Sequence, residues 1–535
     1  PEKVVLVLDD YHTIQNKAIH QTVDFIIQHL PPQLHLAITS RTDPPLQLSR
    51  LRAQAEMMEL RAADLRFNLA EATAFLKQSL SLDLSVAQVQ ALEAQTEGWV
   101  VGLQMAALSL RRHKNVAQFI ETFSGSHRYI IDYLAEEVLD QQSLDIRMFL
   151  MQTAILTRLT ASLCDALTGN GNSQAILTHL EQSNLFLIPL DDERRWYRYH
   201  HLFIDLLRHQ LAQAQPNQIA TLHLRACAWY ASHGFSAEAI EHALLGQQFE
   251  QAATLLIGVA ETFWMRGEFS TLLAWLARFP AGFVRAQPRL ALYYAWTLFN
   301  HMQLDEVVSR LQEAEATLEA SHPHGANSTE AAGRFSNEER TELSGIIAAI
   351  RSALPPLPEQ PWSRFDYAQQ AFTLLPEHNL TWRGIAAISR GVGYRSQGQL
   401  VAAHQALREA QAINQAAHNH YLHWASMINL AEVQRLQGQL HQASSTYEQV
   451  LRLLYPALGH GDHLIKIDAP VVDPLLQSDI YIGLGTIALA WNQLELAEAY
   501  LYQGMALMRQ ANNYSLAPKA YMALVGLLQA QGQTE

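Results

Sequence analysis

The sequence predicts a multidomain, mostly helical chain: part of a parallel α/β segment over 1–62, a small helical bundle over 63–126, a winged helix over 127–213, and a tetratricopeptide-like α-solenoid over 214–535. Three observations predict this order. The apolar run Val4-Val5-Leu6-Val7-Leu8 leads straight into Asp9-Asp10, as a strand ending in carboxylates would. Helical segments followed by a short hairpin occupy the middle. From Ile219 onward strand signals nearly vanish, and Ala, Leu, Gln and Glu recur at helical spacing.

Composition bounds the function. At 535 residues the chain is too long for one core, and length alone suggests three or four domains. With 37 Lys and Arg against 51 Asp and Glu, the net charge of −14 leaves the whole chain no basic footprint for nucleic acid or an anionic membrane. Only two cysteines occur, Cys164 and Cys227, without CxxC spacing, which points to a reducing cytoplasm and away from disulfides or structural zinc. No apolar run reaches membrane-spanning length, and the start is neither a signal nor a transit peptide. The sequence opens just before a strand and closes at Gln531-Gly532-Gln533-Thr534-Glu535 inside a repeat, so it is expected to be an internal fragment of a longer protein.

Val4–Leu8 is expected to be a buried central strand with the layout of a Walker B strand. Asp9 would then hold Mg²⁺ through its water shell, and Asp10 would act catalytically by polarising the attacking water. The plain alternative is a core strand ending in a solvated Asp-Asp turn. Ile19, Val23, Phe25, Ile26, Ile27 and Leu30 share one face of a helix of about three turns, which Pro31-Pro32 stops. A second strand, Leu34 to Thr39, leads into Ser40-Arg41. A right-handed crossover brings Asp9-Asp10 and Thr39-Ser40-Arg41 to one sheet edge, where nucleotide phosphates bind. Arg41 there could sense a γ-phosphate, or simply pair with Asp43. Glu56 to Leu60 is expected to add a third strand.

The blocks LVLDDYH, ITSRTDPPL, LRAADLRF, EGWVVGLQMAAL and YRYHHLFIDLLRHQL, in this order over residues 4–211, resemble the MalT-type regulators. These are STAND-class signal-transduction ATPases with numerous domains, also called large ATP-binding regulators of the LuxR family. The resemblance implies ATP or ADP and Mg²⁺ as cofactors and a slow ATPase in the intact protein. The family pattern places a P-loop, GxxxxGK[ST], upstream of the acidic strand. No Gly-Lys pair occurs here, so this fragment alone is expected to have no ATPase activity and to carry no cofactor.

Asn68 followed by Glu71 marks a helix start that carries Ala72, Phe75, Leu76 and Leu80 inward. Ser85 opens a second helix to Glu97, and Gly98-Trp99 turns the chain into a third from Val100 to about Arg112. By the resemblance this bundle is a lid over the nucleotide. Gly102-Leu103-Gln104 would touch the adenine, with Gln104 where the family often has proline. Trp99, Leu103 and Met105 also read simply as core.

Helices at about 127–140, 144–152, 160–168 and 173–183, a hairpin of Leu185–Leu190 and Arg195–Tyr199, and one more helix make the winged helix. Its recognition-type helix, Ser173 to Gln182, has no Lys or Arg, which argues against duplex binding. The resemblance implies instead that a histidine of His200-His201, preferably His201, reaches the β-phosphate of ADP and latches a closed state. A hydrogen-bonded cap of the last helix would explain the same pair.

In the array, a turn residue is followed five, nine and twelve positions later by small or apolar residues. Examples are Gly398 with Ala403, Leu407 and Ala410, and Gly438 with Ala443, Tyr447 and Val450; Asn492 and Met302 open two more. Gly398 to Gly438 spans 40 residues, as does Asn492 to Gly532. Such hairpins stack into a superhelix with a concave ligand face. Loops are expected over His322–Asn337 and Tyr455–Asp479. His418, His420 and His423 with His460, Asp462 and His463 could be metal ligands, but scattered histidines produce such groups by chance. Trp382, Tyr394, Tyr421 and Trp424 fit a groove or stacking between hairpins.

Together these expectations describe the ligand-sensing and nucleotide-switch portion of an ATP-dependent transcriptional activator. A small-molecule or protein inducer would bind the concave face, self-association would follow activation, and DNA would be met only by a helix-turn-helix beyond Glu535, with no membrane involved. The alternative is a repeat scaffold for protein partners without nucleotide dependence.

Overall fold

A computed structural model of the chain describes residues 3–14, 16–40, 42–61, 64–79, 82, 84–110, 119–120, 123, 128–320, 335–355, 364–454, 474–510 and 516–532. Two compact units divide it, residues 1–248 and 249–535.

The first unit opens with β1 (Val4–Leu8), α1 (Lys17–Gln28) and β2 (Leu34–Ile38). The strands pair in parallel, Val4 opposite Leu34 and Leu8 opposite Ile38. Asn16 starts α1 by accepting from the Ala18 amide, which satisfies one orphan donor of the first turn. β1 is not the buried central strand its composition suggests. Val5 and Val7 are 60% and 58% exposed, and β2 is its one pairing partner among the described residues. Five apolar residues specify a strand, but its cover depends on neighbours elsewhere in the chain. The expected third strand is also corrected. After α2 (Leu48–Ala53), Glu56 to Leu60 pairs with no strand among the described residues, because Glu59 is held in an ion cluster with Arg52 and Arg61, and Met58 faces solvent.

α3 (Leu69–Ala74) begins with the expected capping box of Asn68 and Glu71, then widens into a π-helical turn over Phe75–Ser79. Ala72 and Leu76 are buried; Leu80 lies outside the described residues. α4 (Val86–Thr96) has a capping box of Ser85 and Gln88, and α5 (Val100–Leu110) follows. Next come α6 (Arg128–Leu134), with a π turn over Ala135–Leu139, then α7 (Leu144–Thr153), α8 (Ala161–Thr168) and α9 (Ser173–Gln182). β3 (Leu187–Pro189) and β4 (Tyr197–Tyr199) form the antiparallel wing, and a bridge from Leu159 to Tyr197 extends it. α10 (His201–Ala214) closes the winged helix onto a core of Phe149, Leu163, Leu177, Leu180, Phe203 and Leu207. α11 (Ile219–Ser232) and α12 (Ser236–Leu245) belong to the same compact unit and pack as a hairpin.

The second unit is helical throughout its described residues. It comprises α13 (Phe249–Met265), α14 (Phe269–Leu276), α15 (Ala281–Ala286), α16 (Pro288–Asn300), α17 (Leu304–Ala320), α18 (Asn337–Ala353) and α19 (Arg364–Leu374). The repeats continue with α20 (Leu380–Ser396), α21 (Leu400–Ala416), α22 (His420–Leu436), α23 (Leu440–Leu454), α24 (Pro474–Ala490), α25 (Leu494–Gln510) and α26 (Ala517–Ala530). Every turn residue singled out by spacing is left-handed: Met302 (φ 58°), Gly398 (74°), Gly438 (79°), Asn492 (58°) and Gly532 (76°). The small and apolar positions that follow, such as Ala403, Leu407, Ala443 and Tyr447, are buried. That turn lets each second helix fold back on its first, and Ala or Gly at the seam lets the two approach closely.

Two loops differ from expectation. Ser336 caps α18, so helix resumes at Asn337, and α24 is already helical from Pro474, six residues before the insertion expected to end at Asp479 is past; residues 321–334 and 455–473 lie outside the described set. Trp382 is buried, Tyr394 packs on Phe365 and Tyr421 on Phe269, so these rings serve stacking between helices. No helix among the described residues is long and apolar enough to cross a membrane.

Candidate functional site

At the carboxyl ends of β1 and β2 the chain builds a small polar edge. The Thr39 hydroxyl donates to Asp9 Oδ1, and the same hydroxyl oxygen accepts from the Asp10 amide at 3.0 Å. The Tyr11 amide bonds to the Thr39 carbonyl at 2.9 Å, fixing the crossover of the two strand ends. Asp10 takes a left-handed conformation (φ 50°), and its carboxylate lies 3.8 Å from His12. Below them Tyr11 is buried and its hydroxyl meets His20 Nδ1 at 3.0 Å. Asp9 and Asp10 are both exposed. The edge therefore assembles Asp9, Asp10 and Thr39, while Arg41 lies outside the described residues. Asp43 pairs with Arg61 and Arg52.

In the helical bundle, Gly102 and Leu103 are buried and Gln104 is exposed on α5. A Cβ at Gly102 would come 2.7 Å from Trp99 and 3.4 Å from Leu202, so its glycine lets α5 approach the start of α10.

A polar cluster joins the helical bundle to the winged helix, and it centres on a residue the sequence does not single out. Glu97 ends α4 in a left-handed conformation (φ 48°), followed by Gly98 (φ 70°), whose added Cβ would strike the Phe67 carbonyl. This turn aims the Glu97 carboxylate at the wing. Arg198 of β4 grips both its oxygens at 2.7 and 2.9 Å, Arg66 stands at 3.4 Å, and His201 Nδ1 donates to it at 2.9 Å. Burial alone would raise this carboxyl, but His201 and Arg198 hold it far below the usual carboxylate range.

His200 and His201 have different environments. His200 is buried, its Nε2 donates to the Thr96 carbonyl at 3.1 Å, and its Nδ1 accepts from the Leu202 amide, capping α10. Burial pushes it down to about 4, against the pull of Glu97, so the ring is neutral. His201 keeps Nε2 buried and without a partner. Of the pair, His201 alone retains an uncommitted nitrogen.

Ligand atoms of Glu97, His200 and His201 lie within 4.8 Å of one another, as a metal site would require. The partners argue against a metal there, since both carboxylate oxygens bind Arg198 and both His200 nitrogens are committed. His460, Asp462 and His463 of the other histidine group lie outside the described residues, while His423 bonds to the Gln411 carbonyl and His420 stacks on Trp424.

A winged helix ion-paired to a small helical bundle, in a chain that continues as a tetratricopeptide-like array, defines a multidomain winged-helix and repeat protein. Residues 135–219 match the MalT winged helix domain, and residues 345–535 match the MalT-like TPR region. The chain is 30% identical over 515 residues to the HTH-type transcriptional regulator MalT of Yersinia enterocolitica and 28% identical over 510 residues to that of Vibrio cholerae. Each match covers 94% of this chain and 53% of the relative, so the chain spans about half the length of the curated relatives it matches. Its winged helix and its repeat region are therefore of MalT type. A solved STAND protein with a tetratricopeptide repeat sensor from Pyrococcus horikoshii aligns over 99% of this chain and 78% of its own, at TM-score 0.42 and 13% identity, too slight a likeness to carry an argument.

Proposed function

We propose that this chain is the ligand-sensing and nucleotide-switch portion of an ATP-dependent MalT-type transcriptional activator of the LuxR class, acting in the cytoplasm. Residues 1–62 would contribute the strand ends of the nucleotide domain, 63–126 the lid, 127–213 the winged helix and 214–535 the sensor. An inducer would bind the concave face of the array, self-association would follow, and DNA contact would belong to another part of the protein.

The observation that carries this reading is the Glu97 junction. One carboxylate ties lid to wing and leaves His201 Nε2 buried and unsatisfied, and such an orphan atom is costly unless a partner visits it. The strand-end edge fits the same reading, for Asp9 is an exposed carboxylate oriented by a hydroxyl, the donor type a hydrated Mg²⁺ takes. ATP or ADP with Mg²⁺, when bound, would supply the polyphosphate charge. Toward that charge His201 would donate from Nε2 as an imidazolium, with Glu97 as its counter-ion. Asp9 would anchor metal-bound water, and Asp10 would orient an attacking water.

The test is fluorescent-ADP binding to the full protein that contains this chain. His201→Ala is expected to weaken ADP at least tenfold with the melting temperature preserved. Unchanged affinity would remove His201 from the switch, and no nucleotide binding by the wild type at millimolar concentration would restore the scaffold alternative.

A further inference from the structure

In the second unit, α13 packs on α16 and reaches α22, and between α13, α16, α18 and the start of α20 lies a cavity of about 400 Å³. Its polar groups form two sets. Glu342 is satisfied: Arg289 pairs with it at 2.8 Å, and Asn379 Nδ2 donates to it at 2.9 Å. Glu261 is not. Its oxygens accept from the hydroxyls of Thr381 at 2.8 Å and Tyr293 at 3.3 Å, and it forms no ion pair among the described residues. Two hydroxyls orient a carboxylate without neutralising it, so this half-buried wall keeps one uncompensated negative charge.

Buried aromatic rings stand behind that charge. Tyr293 and Trp382 line the cavity and belong to a four-ring cluster with Trp264 and Trp296, at centroid separations of 4.9 to 5.9 Å. These rings are buried against one another, so recognition of a cation in the cavity falls to the carboxylate and its polar neighbours. Thr381 and Tyr293 fix the Glu261 rotamer in advance, so a ligand need not order it.

We propose that this cavity binds a small molecule carrying a protonated amine, with Glu261 as its counter-ion. The proposal rests on the assignment of the array as a ligand sensor and names the chemical class it senses. The probe is n-butylammonium, with 1-butanol as the neutral isostere and butyrate as the anion, each titrated calorimetrically into the chain. Saturable binding of the amine is expected, with 1-butanol and butyrate silent, and Glu261→Gln should weaken the amine at least tenfold because the amide keeps the shape, accepting from one hydroxyl and donating to the other, and removes the charge. Should that variant not fold, the amine-to-alcohol comparison on the wild type decides alone. Equal binding of 1-butanol, or amine binding indifferent to Glu261→Gln, would overturn the ligand class while leaving a sensor. Silence of all three probes overturns this site, and silence of a broad thermal-shift screen as well would remove the sensor assignment beneath it.

Discussion

Glu97 shows how much one residue can carry. A non-glycine in the left-handed region costs on the order of 1 kcal/mol, and here it is offset by two guanidiniums and an imidazole gathered on one carboxylate. Glu97→Gln keeps the shape and removes the charge. Arg198 and Arg66 would then be left partly solvated without a partner, at a cost of about 1–3 kcal/mol, less than for a fully buried pair. Urea denaturation followed at the tryptophans of the first unit should show the lower midpoint; a loss under about 0.5 kcal/mol would mean the junction does not couple lid to wing. None of this was legible in sequence. The spacing marked Gly98-Trp99 as a turn, but nothing local says that the residue before it faces an arginine 101 positions later. The strand-end carboxylates, by contrast, were readable, since a continuous apolar run ending in Asp9-Asp10 and a strand–helix–strand crossover fix which strand ends meet.

At the scale of elements, turns and caps were the most legible features because their chemistry is confined to four or five residues. Asn68 forms the capping box expected of it, Ser85 opens its helix as expected and adds a box with Gln88, and the turn residues of the repeats all have positive φ. Where that position is not glycine the turn is strained, so Met302→Gly should stabilise the second unit by about 1 kcal/mol. Helical glycines separate by what surrounds them. At Gly384 a Cβ would strike the buried Asn414 side chain, which donates to Ser426 at 3.1 Å, so Gly384→Ala should cost about 2 kcal/mol or more. Gly258 has nothing within 4 Å of an added Cβ, and Gly258→Ala should gain about 1 kcal/mol from helix propensity. Thermal melts of the three variants check both signs at once. The third strand failed for a physical reason: Glu-Met-Met-Glu-Leu is apolar enough to resemble a strand, yet its register is set by Glu59 pairing with Arg52 and Arg61, which no periodicity reveals.

At the scale of the molecule, the two units should respond to acid in a definite order. His223 and His242 meet Nδ1 to Nδ1 at 2.8 Å, and burial, with Arg208 adding like charge, holds them down to about 4 and about 3. His200 stands at about 4 because of its burial. All three lie in the first unit. Their folded pKa values are below the unfolded one near 6.5, so the unfolded chain binds more protons below that pH. Their stability contribution is thus complete above about pH 6.5 and lost as pH falls toward 4 and 3, on the order of 3 kcal/mol for His200 alone. In the second unit the main acid-sensitive group is Glu432. Burial would raise it, but Arg435 and Lys519 bring it down to about 2, so its contribution persists until pH drops below about 4.5. Glu315, raised by burial, works in the opposite sense and eases as it protonates. Near pH 5 the first unit should therefore open while the second holds. Hydrogen exchange by mass spectrometry at pH 7, 5 and 4, corrected for intrinsic rates, should show protection lost first in α10 to α12 and retained in α20 to α25; simultaneous loss, or loss from the repeats first, would show that the buried histidines do not govern acid stability.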